Sequence, residues 1–453
     1  MSKLIRLNKG YDIKIQGAPA SKLSEGFTSR TYSVKPIDFN GLSPIPKLMV
    51  SEQTEVKAGD PLFYDKSDER IHYCSPVSGE VVEIRRGDKR AVEEVIILAD
   101  SEIRSRSWEK KDVASLQRDE IVQRMLESGA WLFLRQRPYD IAANPDDTPK
   151  AIFITGWDSS PLGPDYNFIM QGRESDFQAG IQVLSKLTSG KIHLSLNAKS
   201  KPAAAFNTVQ GVEVHWFQGP HPAGNVGIQI HHIDPINKGE VVWTINPEDV
   251  ANLAVLFTEG IYSPVRTVAL TGPEVIKPQY YKTLQGASIE QMVVNNLQDN
   301  HVRFIAGNVL TGKTIGQKGH IGFYDRQVTV ILEGDEPELL GWLFPSYPRP
   351  TKSMAYWAYA NEAPAGYRVT TSTHGEERAF VVSGQYEQVL PMDIYPVHLI
   401  KAIMAKDFDL MEGLGIYEVS EEDFALCEFV CTSKINVMDI IREGLDYMHE
   451  QNG

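Results

Sequence analysis

Four groups of residues in this 453-residue chain have the types and spacing to do chemistry. Gly307 to Thr314 spell G-x4-G-K-T, the string of a loop whose backbone N–H groups cradle phosphates while the lysine, here Lys313, reaches them. Such a loop works only when a strand precedes it and a helix follows at once. Val302 to Ala306 could be the strand, but Gly316 and Gly319 come next, so no nucleotide site is expected. Cys427 and Cys431 stand one helical turn apart, yet an iron–sulfur cluster normally takes four thiolates and structural zinc takes four N or S ligands. The one further cysteine is Cys74, so two buried apolar residues are expected instead. His193, His215, His221, His231 and His232 crowd one region without an H-E-x-x-H pattern or a carboxylate-flanked triad. Strand periodicity should scatter them over both faces of a sheet. No G-x-S-x-G elbow supports hydrolase chemistry. The fourth group is the loop "SGAWLFLRQRPYD", in which Trp131, Phe133, Arg135, Gln136 and Arg137 put bulk where a dinucleotide-binding turn needs glycine. It could hold a flat apolar ring with arginine support or be ordinary packing, and packing is the expectation.

These residues need elements to position them. From Lys47 to Leu98, short strands alternate with Gly, Pro and Asp turns in two halves of similar design, Val56 to Phe63 and Ser75 to Ile84. Gly59, Asp60, Pro61, Pro76 and Gly79 are the turn residues of a small flattened barrel that resembles the biotinyl/lipoyl carrier fold. Carriers modify a lysine at the hairpin tip; Lys66 stands near that place, but an unmodified surface lysine is expected, because fold does not carry function with it. Next, an amphipathic helix over Leu116 to Leu126 should stop near Gly129. Strands at Ala151 to Thr155, Ile192 to Leu196 and Val212 to Phe217, with a helix over Asp176 to Leu187, give a β-α-β order and a parallel, doubly wound Rossmann-like layer. The segments "VRTVALTGPEV", "SIEQMVVNNL" (read as a helix), "HVRFIAGNVLTG" and "RQVTVILEG" fit a β-grasp module. Helices are expected over Pro396 to Ala405 and Val437 to Met448. The α/β multidomain chain therefore divides into an arm and barrel (1–100), a Rossmann-like domain (101–260), a β-grasp, SLBB-like domain (261–335) and a mostly helical C-terminal domain (336–453).

Composition agrees: 42% hydrophobic and 23% charged residues make a folded globular protein of several domains. Three cysteines cannot build a secreted disulfide framework and no signal-peptide pattern opens the chain, so a reducing cytoplasm is expected. Apolar runs of only a few residues cannot span a bilayer, which takes about 20. A net charge of -14 argues against nucleic acid as partner. The charge is uneven: residues 1–50 hold eight Lys or Arg against three carboxylates, while 407–428 hold eight carboxylates and no Lys or Arg. Either stretch could face a partner or be solvated surface, the latter being expected.

Taken in order, "IRLNKGYDIKIQGAP", "SPVSGEVVEI", "FITGWDSSPLGPDYNFIMQGRESDFQAGI", "GPHPAGNVGIQIHHIDP", "ALTGPEVIKPQYYKTLQGASI" and "EEDFALCEFVCTSKI" resemble the NqrA family, the A subunits of bacterial Na+-translocating NADH:quinone oxidoreductases, over essentially the full length. That family in turn resembles the NADH- and flavin-binding subunit of respiratory complex I and the C subunit of the Rnf complex. Those relatives use a glycine-rich flavin loop, an E-x-E-P segment and a cysteine-rich cluster motif. Here Trp131 to Arg137 replace the first, Asp158-Ser159-Ser160-Pro161 the second, and Cys427 and Cys431 are a degenerate remnant of the third. The resemblance implies a peripheral subunit on the cytoplasmic side of the inner membrane that binds no flavin, NADH, Fe–S cluster or metal tightly and has no catalytic residue of its own. FMN, FAD, riboflavin and Fe–S centres are expected on the partner subunits, B to F, its chief neighbour being the membrane-bound B subunit. Ubiquinone is a candidate ligand, and Trp131, Phe133, Arg135, Arg137, Trp342, Phe344, Tyr356 and Trp357 are the candidate quinone or partner surface, together with Tyr347 and Tyr359 of a run broken by Pro345, Pro348 and Pro350. The alternative is a self-sufficient flavin- and NADH-binding oxidoreductase of the Rnf or complex I type.

Overall fold

Alternating apolar residues and tight turns between residues 31 and 99 close two antiparallel sheets on a shared core. One sheet runs Thr31–Val34, Val92–Ala99, Gly79–Arg86, Glu55–Val56; the other Lys47–Leu48, Pro61–Tyr64, His72–Cys74. Val56, Leu62, Phe63, Tyr73, Val81, Val95 and Ile97 fill the space between them. Lys66 is exposed on the hairpin joining Pro61–Tyr64 to His72–Cys74. The structure, a computed structural model, describes residues 3–24, 26–335, 340, 349–352 and 365–452.

The helix expected before Gly129 spans Arg118–Ser128. Gly129 ends it in the left-handed region at φ 81°, where a Cβ would also lie 2.9 Å from the Cβ of Cys74 in the barrel, so only glycine suits the position. Apolar runs then form a seven-stranded sheet. Five parallel strands stand in the order Lys3–Arg6, Glu213–Gln218, Lys191–Asn197, Ala151–Thr155, Val242–Thr244, and antiparallel Arg135–Arg137 and Ile141–Ala142 extend it. Ile152, Ile154, Leu194 and Leu196 pack under helices Glu174–Leu184 and Pro247–Thr258, while Ala151, Phe153 and Val242 face helix Val226–Ile233. A strand covered on both sides is apolar at successive residues, as Ala151–Thr155 is.

A six-stranded mixed sheet follows, in the order Lys313–Ile315, Val302–Ala306, Gln327–Leu332, Val265–Thr271, Gln279–Leu284, Ala20–Ser24. The helix expected over "SIEQMVVNNL" shrinks to Glu290–Val293, because Val294 is extended and Asn295 adopts φ 56°. The G-x4-G-K-T string lies in a β-hairpin: Lys313–Ile315 pairs antiparallel with Val302–Ala306, and Lys313 Nζ donates to the Ile37 carbonyl at 2.9 Å. After Gly312 the chain enters this strand and not the helix N-terminus that a phosphate loop needs.

Helices Pro396–Met404, Phe408–Gly413, Glu421–Val430 and Val437–Asn452 build a second core. Among the described residues, no helix is long and apolar enough to cross a membrane. Residues 3–24 join three modules other than the barrel they precede. Lys3–Arg6 forms one edge of the seven-stranded sheet, Ile13 and Ile15 enter the helical core, and Ala20–Ser24 forms one edge of the six-stranded sheet. Nothing in so short a stretch names partners that lie about two to four hundred residues away.

Candidate functional site

In an open parallel sheet, ligands bind beyond the carboxyl ends of the strands, where the strand order reverses. Here the chain runs outward from Ala151–Thr155 through Lys191–Asn197 to Glu213–Gln218, then returns to place Val242–Thr244 on the other side of Ala151–Thr155. The crevice above that reversal lies between loop 156–165 and the start of helix Pro247–Thr258. A helix start favours anions through its free N–H groups and dipole. In this chain the anions are built in. Asn246 caps the helix, accepting from Glu248 N at 3.0 Å, and Glu248 and Asp249 occupy its first turn, both buried. Arg266 and Arg326, also buried, pair with Asp249, and Arg326 Nε lies 3.4 Å from Glu248. Burial raises the pKa of Glu248 against the pull of Arg326 and Arg266. Loop 156–165 is closed over in the same way. Ser159 Oγ meets His221 Nδ1 at 3.0 Å, Gln327 Nε2 donates to the Pro161 carbonyl at 3.1 Å, and Asp165 N donates to Tyr280 Oη at 2.8 Å. These residues fit neither a dinucleotide nor a flavin phosphate, since protein carboxylates and guanidinium groups fill the anion position.

The loop after Gly129 forms the second half of the site. Trp131 and Phe133 are sealed in the core, not on a surface. Trp131 Nε1 donates to the Ala143 carbonyl at 2.7 Å and its ring stands edge-on to Trp243 at 5.4 Å. Phe133 stacks on Tyr262 at 5.9 Å. Packing, the expected reading, is what the structure shows for these two rings. Gln136 accepts from Trp243 Nε1 at 3.0 Å, tying the loop to the strand beyond. Trp342, Phe344, Tyr347, Tyr356, Trp357 and Tyr359 lie outside the described residues.

The arginines have a different fate. Arg135 sits over the Tyr324 ring at 4.9 Å and pairs with Asp140. Arg137, 1% exposed, reaches Asp140 at 3.2 Å, Glu422 at 2.9 Å and Asp423 at 3.5 Å. The last two belong to the first turn of helix Glu421–Val430, capped by Ser420, whose N and Oγ donate to Asp423 at 3.1 and 3.0 Å. Neighbouring Glu421 accepts from Arg442 at 3.1 Å and from Asn40 at 3.2 Å. A Cβ on Gly227 would come within 2.3 Å of an Asp423 oxygen, so helix Val226–Ile233 passes close by. Barrel, seven-stranded sheet and C-terminal helices thus meet in one ionic cluster. The acidic stretch 407–428, expected to be solvated or to face a partner, spends much of its charge inside the chain: Glu412 on Lys238, Glu418 on His231, Glu421 on Arg442, and Glu422 and Asp423 on Arg137.

Three carboxylates converging on Arg137 cannot all be satisfied alike. Asp140 keeps a lowered pKa, since Arg135 and Arg137 outweigh its burial. Glu422 is pushed up to about 7 by burial, against Arg137 and with Asp423 and Asp140 adding repulsion, and Asp423 is raised by burial too. A carboxyl whose folded pKa lies above its usual 4.5 holds its proton more tightly in the folded chain. Its contribution to stability is therefore full below about pH 4.5 and lost as pH rises through about 7. Chemical denaturation is expected to show wild-type stability falling between about pH 4.5 and 7, and Glu422→Gln, which stays neutral, to flatten that fall; equal slopes would refute the assignment.

Cys427 and Cys431 are buried and free in the helical core, as expected of two small apolar residues. Burial raises the Cys427 thiol well above its ordinary range.

Comparison with known proteins bears on these features. Residues 5–100 match the family description "NqrA N-terminal barrel-sandwich hybrid domain", 116–262 "NqrA second alpha/beta domain" and 267–316 "NQRA C-terminal domain". The A subunit of the Na(+)-translocating NADH-quinone reductase of Hahella chejuensis is 36% identical over 456 residues, covering 99% of this chain and 100% of that protein. Its namesake from Vibrio atlanticus is 35% identical over 451 residues, and that from Serratia proteamaculans 35% over 459, each with the same shares covered. Among solved structures, an NAD+-reducing [NiFe]-hydrogenase shares 14% identity over 49% of this chain and 48% of its own, at a TM-score of 0.35.

Proposed function

The chain belongs to the NqrA family, and from that premise we propose that it is the cofactor-free peripheral A subunit of a Na+-translocating NADH:quinone reductase, the complex that couples NADH oxidation and quinone reduction to Na+ export. The observation that carries this is identity of about 35% along 99% of the chain to proteins named as the A subunit of that reductase. It favours this reading over the Rnf or complex I alternative. NADH oxidation, FMN, FAD, riboflavin, Fe–S transfer and the Na+ path then sit on the other subunits, B to F, and this chain docks on the cytoplasmic face, chiefly on the membrane-bound B subunit. In support, the crevice where a doubly wound domain would bind a nucleotide is filled by Glu248, Asp249, Arg266 and Arg326.

The chain divides into a biotinyl/lipoyl-like arm and barrel (1–100), a Rossmann-like domain (101–260), a β-grasp, SLBB-like domain (261–335) and a C-terminal helical domain (336–453). Cys427 and Cys431 are the remnant of a cluster motif. The chain braces the assembly and helps shape a ubiquinone site. In that role Trp131 and Phe133 support from beneath, Arg135 and Arg137 hold the junction, and Trp342, Phe344, Tyr356 and Trp357, outside the described residues, are the aromatic candidates for contact with quinone or a partner. The test is mild detergent extraction of the native protein followed by identification of whatever is recovered with it. Recovery with membrane proteins of the complex is expected; recovery alone overturns the proposal. The purified chain should also lack stoichiometric flavin or cluster bands in its visible spectrum, and their presence would restore the alternative.

A further inference from the structure

At the opposite end of the seven-stranded sheet from the crevice, three side chains with metal-binding atoms share one face. His193 lies in strand Lys191–Asn197, and Glu213 and His215 in Glu213–Gln218; Glu213 stands opposite His193 in register and His215 two residues on. Periodicity alone did not foresee this, because it orders residues within a strand and not between strands. His193 Nδ1 and His215 Nε2 are 3.0 Å apart, and one oxygen of Glu213 completes a triangle in which all three atoms lie within 4.8 Å of one another.

We propose that His193, Glu213 and His215 form a three-ligand site for a first-row divalent cation of the zinc class, with its fourth position open to water. Two imidazoles on a tetrahedral ion stand about 3.3 Å apart at ordinary Zn–N lengths, so a slight parting of the present pair admits one. Both rings are buried at 5% exposure, so their facing nitrogens are held by the two strands and not by mobile surface. Two imidazoles and a carboxylate suit zinc and its neighbours and not Ca2+ or Mg2+, which prefer oxygen. The outer shell is present as well. His215 Nδ1 and Ser195 Oγ are buried without hydrogen-bond partners, and Ser195 stands directly opposite His215 in register. Rotation of that hydroxyl would let it accept the Nδ1 proton and orient the ring.

Glu213 is reached from solvent. Its carboxylate holds the exposed Lys191 ammonium at 2.7 Å, beside an open pocket of about 330 Å³ lined by Gly190, Lys191, Gly211 and Glu213. The cation replaces that ammonium, and water from the pocket fills the open position. Lys191 and Lys3, the latter opposite His215 on the edge strand, oppose a positive ion, so weaker binding than that of a structural zinc is expected.

The full chain, purified without a polyhistidine tag and stripped with a chelator, should be titrated with Zn2+ by calorimetry and with Co2+ by visible absorption. One equivalent should bind, with the absorption bands of four-coordinate Co2+. His193→Gln and His215→Gln should each weaken binding about tenfold or more. Glu213→Gln, at the solvent edge, should weaken it while leaving the thermal midpoint of the metal-free chain unchanged, and so decides the matter if the buried variants fail to fold. Absence of saturable one-equivalent binding, or binding that persists unchanged in these variants, overturns the proposal.

Discussion

Replacing Arg137 with methionine is expected to lower unfolding free energy by about 3–5 kcal/mol, read as an early transition of the C-terminal helices in thermal or guanidinium denaturation. The guanidinium is 1% exposed and stands among Asp140, Glu422 and Asp423. Methionine fills a similar volume, so the loss is electrostatic, not a cavity. Asp140 retains Arg135, but Asp423, with no exposure of its own, faces only its cap. Removing one partner of a buried pair costs more than removing both, because the survivor stays desolvated and unpaired. Combining Arg137→Met with Asp423→Asn should therefore recover part of the loss. A single variant within about 1 kcal/mol of wild type would mean that water reaches the cluster and screens it.

Asp249→Ala is the second large effect, again about 3–5 kcal/mol, here at the junction between the two large sheets. Arg266 and Arg326 both bond Asp249, and without it share only Glu248, 3.4 Å from Arg326. Two guanidinium groups at 0% and 6% side-chain exposure would then share one carboxylate, Glu248, in place of two. Arg266 also stacks over Phe133 and Phe323 at 5.7 and 5.8 Å, so its displacement would loosen the rings around Trp131. Trp131 and Trp243, both fully buried, make tryptophan emission a suitable readout. A red shift below the denaturation midpoint is expected in the variant, and an unchanged spectrum and midpoint would count against the reading.

Local features were legible in proportion to how much of their energy is local. Ala151–Thr155 was readable to the residue because burial on both faces demands consecutive apolar side chains, and Gly129 because a helix ending in the left-handed region demands glycine. The 288–297 helix failed because Val294 and Asn295 leave helical space after a single turn, which apolar spacing does not register. Within the site, bulk at Trp131 and Phe133 was visible as bulk. The partners of Arg137 were not, since Asp423 lies 286 residues away and appeared only as part of an acidic run. Residue type announces that a charge needs a partner; only the fold says which one. His193 and His215 repeat the lesson, two ordinary histidines until neighbouring strands bring their nitrogens to 3.0 Å.

The arm also orders events in time. Residues 3–24 leave the ribosome before the strands and helices they join. Lys3–Arg6 must wait for Glu213–Gln218, Ala20–Ser24 for Gln279–Leu284, and Gln16 for Gly366, 350 residues later. Domains generally fold as units in order of synthesis. Here the barrel can close early while its preceding arm docks in stages, its last contacts waiting until most of the chain has emerged. The contacts of Ile13, Ile15 and Gln16 with the C-terminal part are then the last to form, a latch that closes only on a nearly completed molecule.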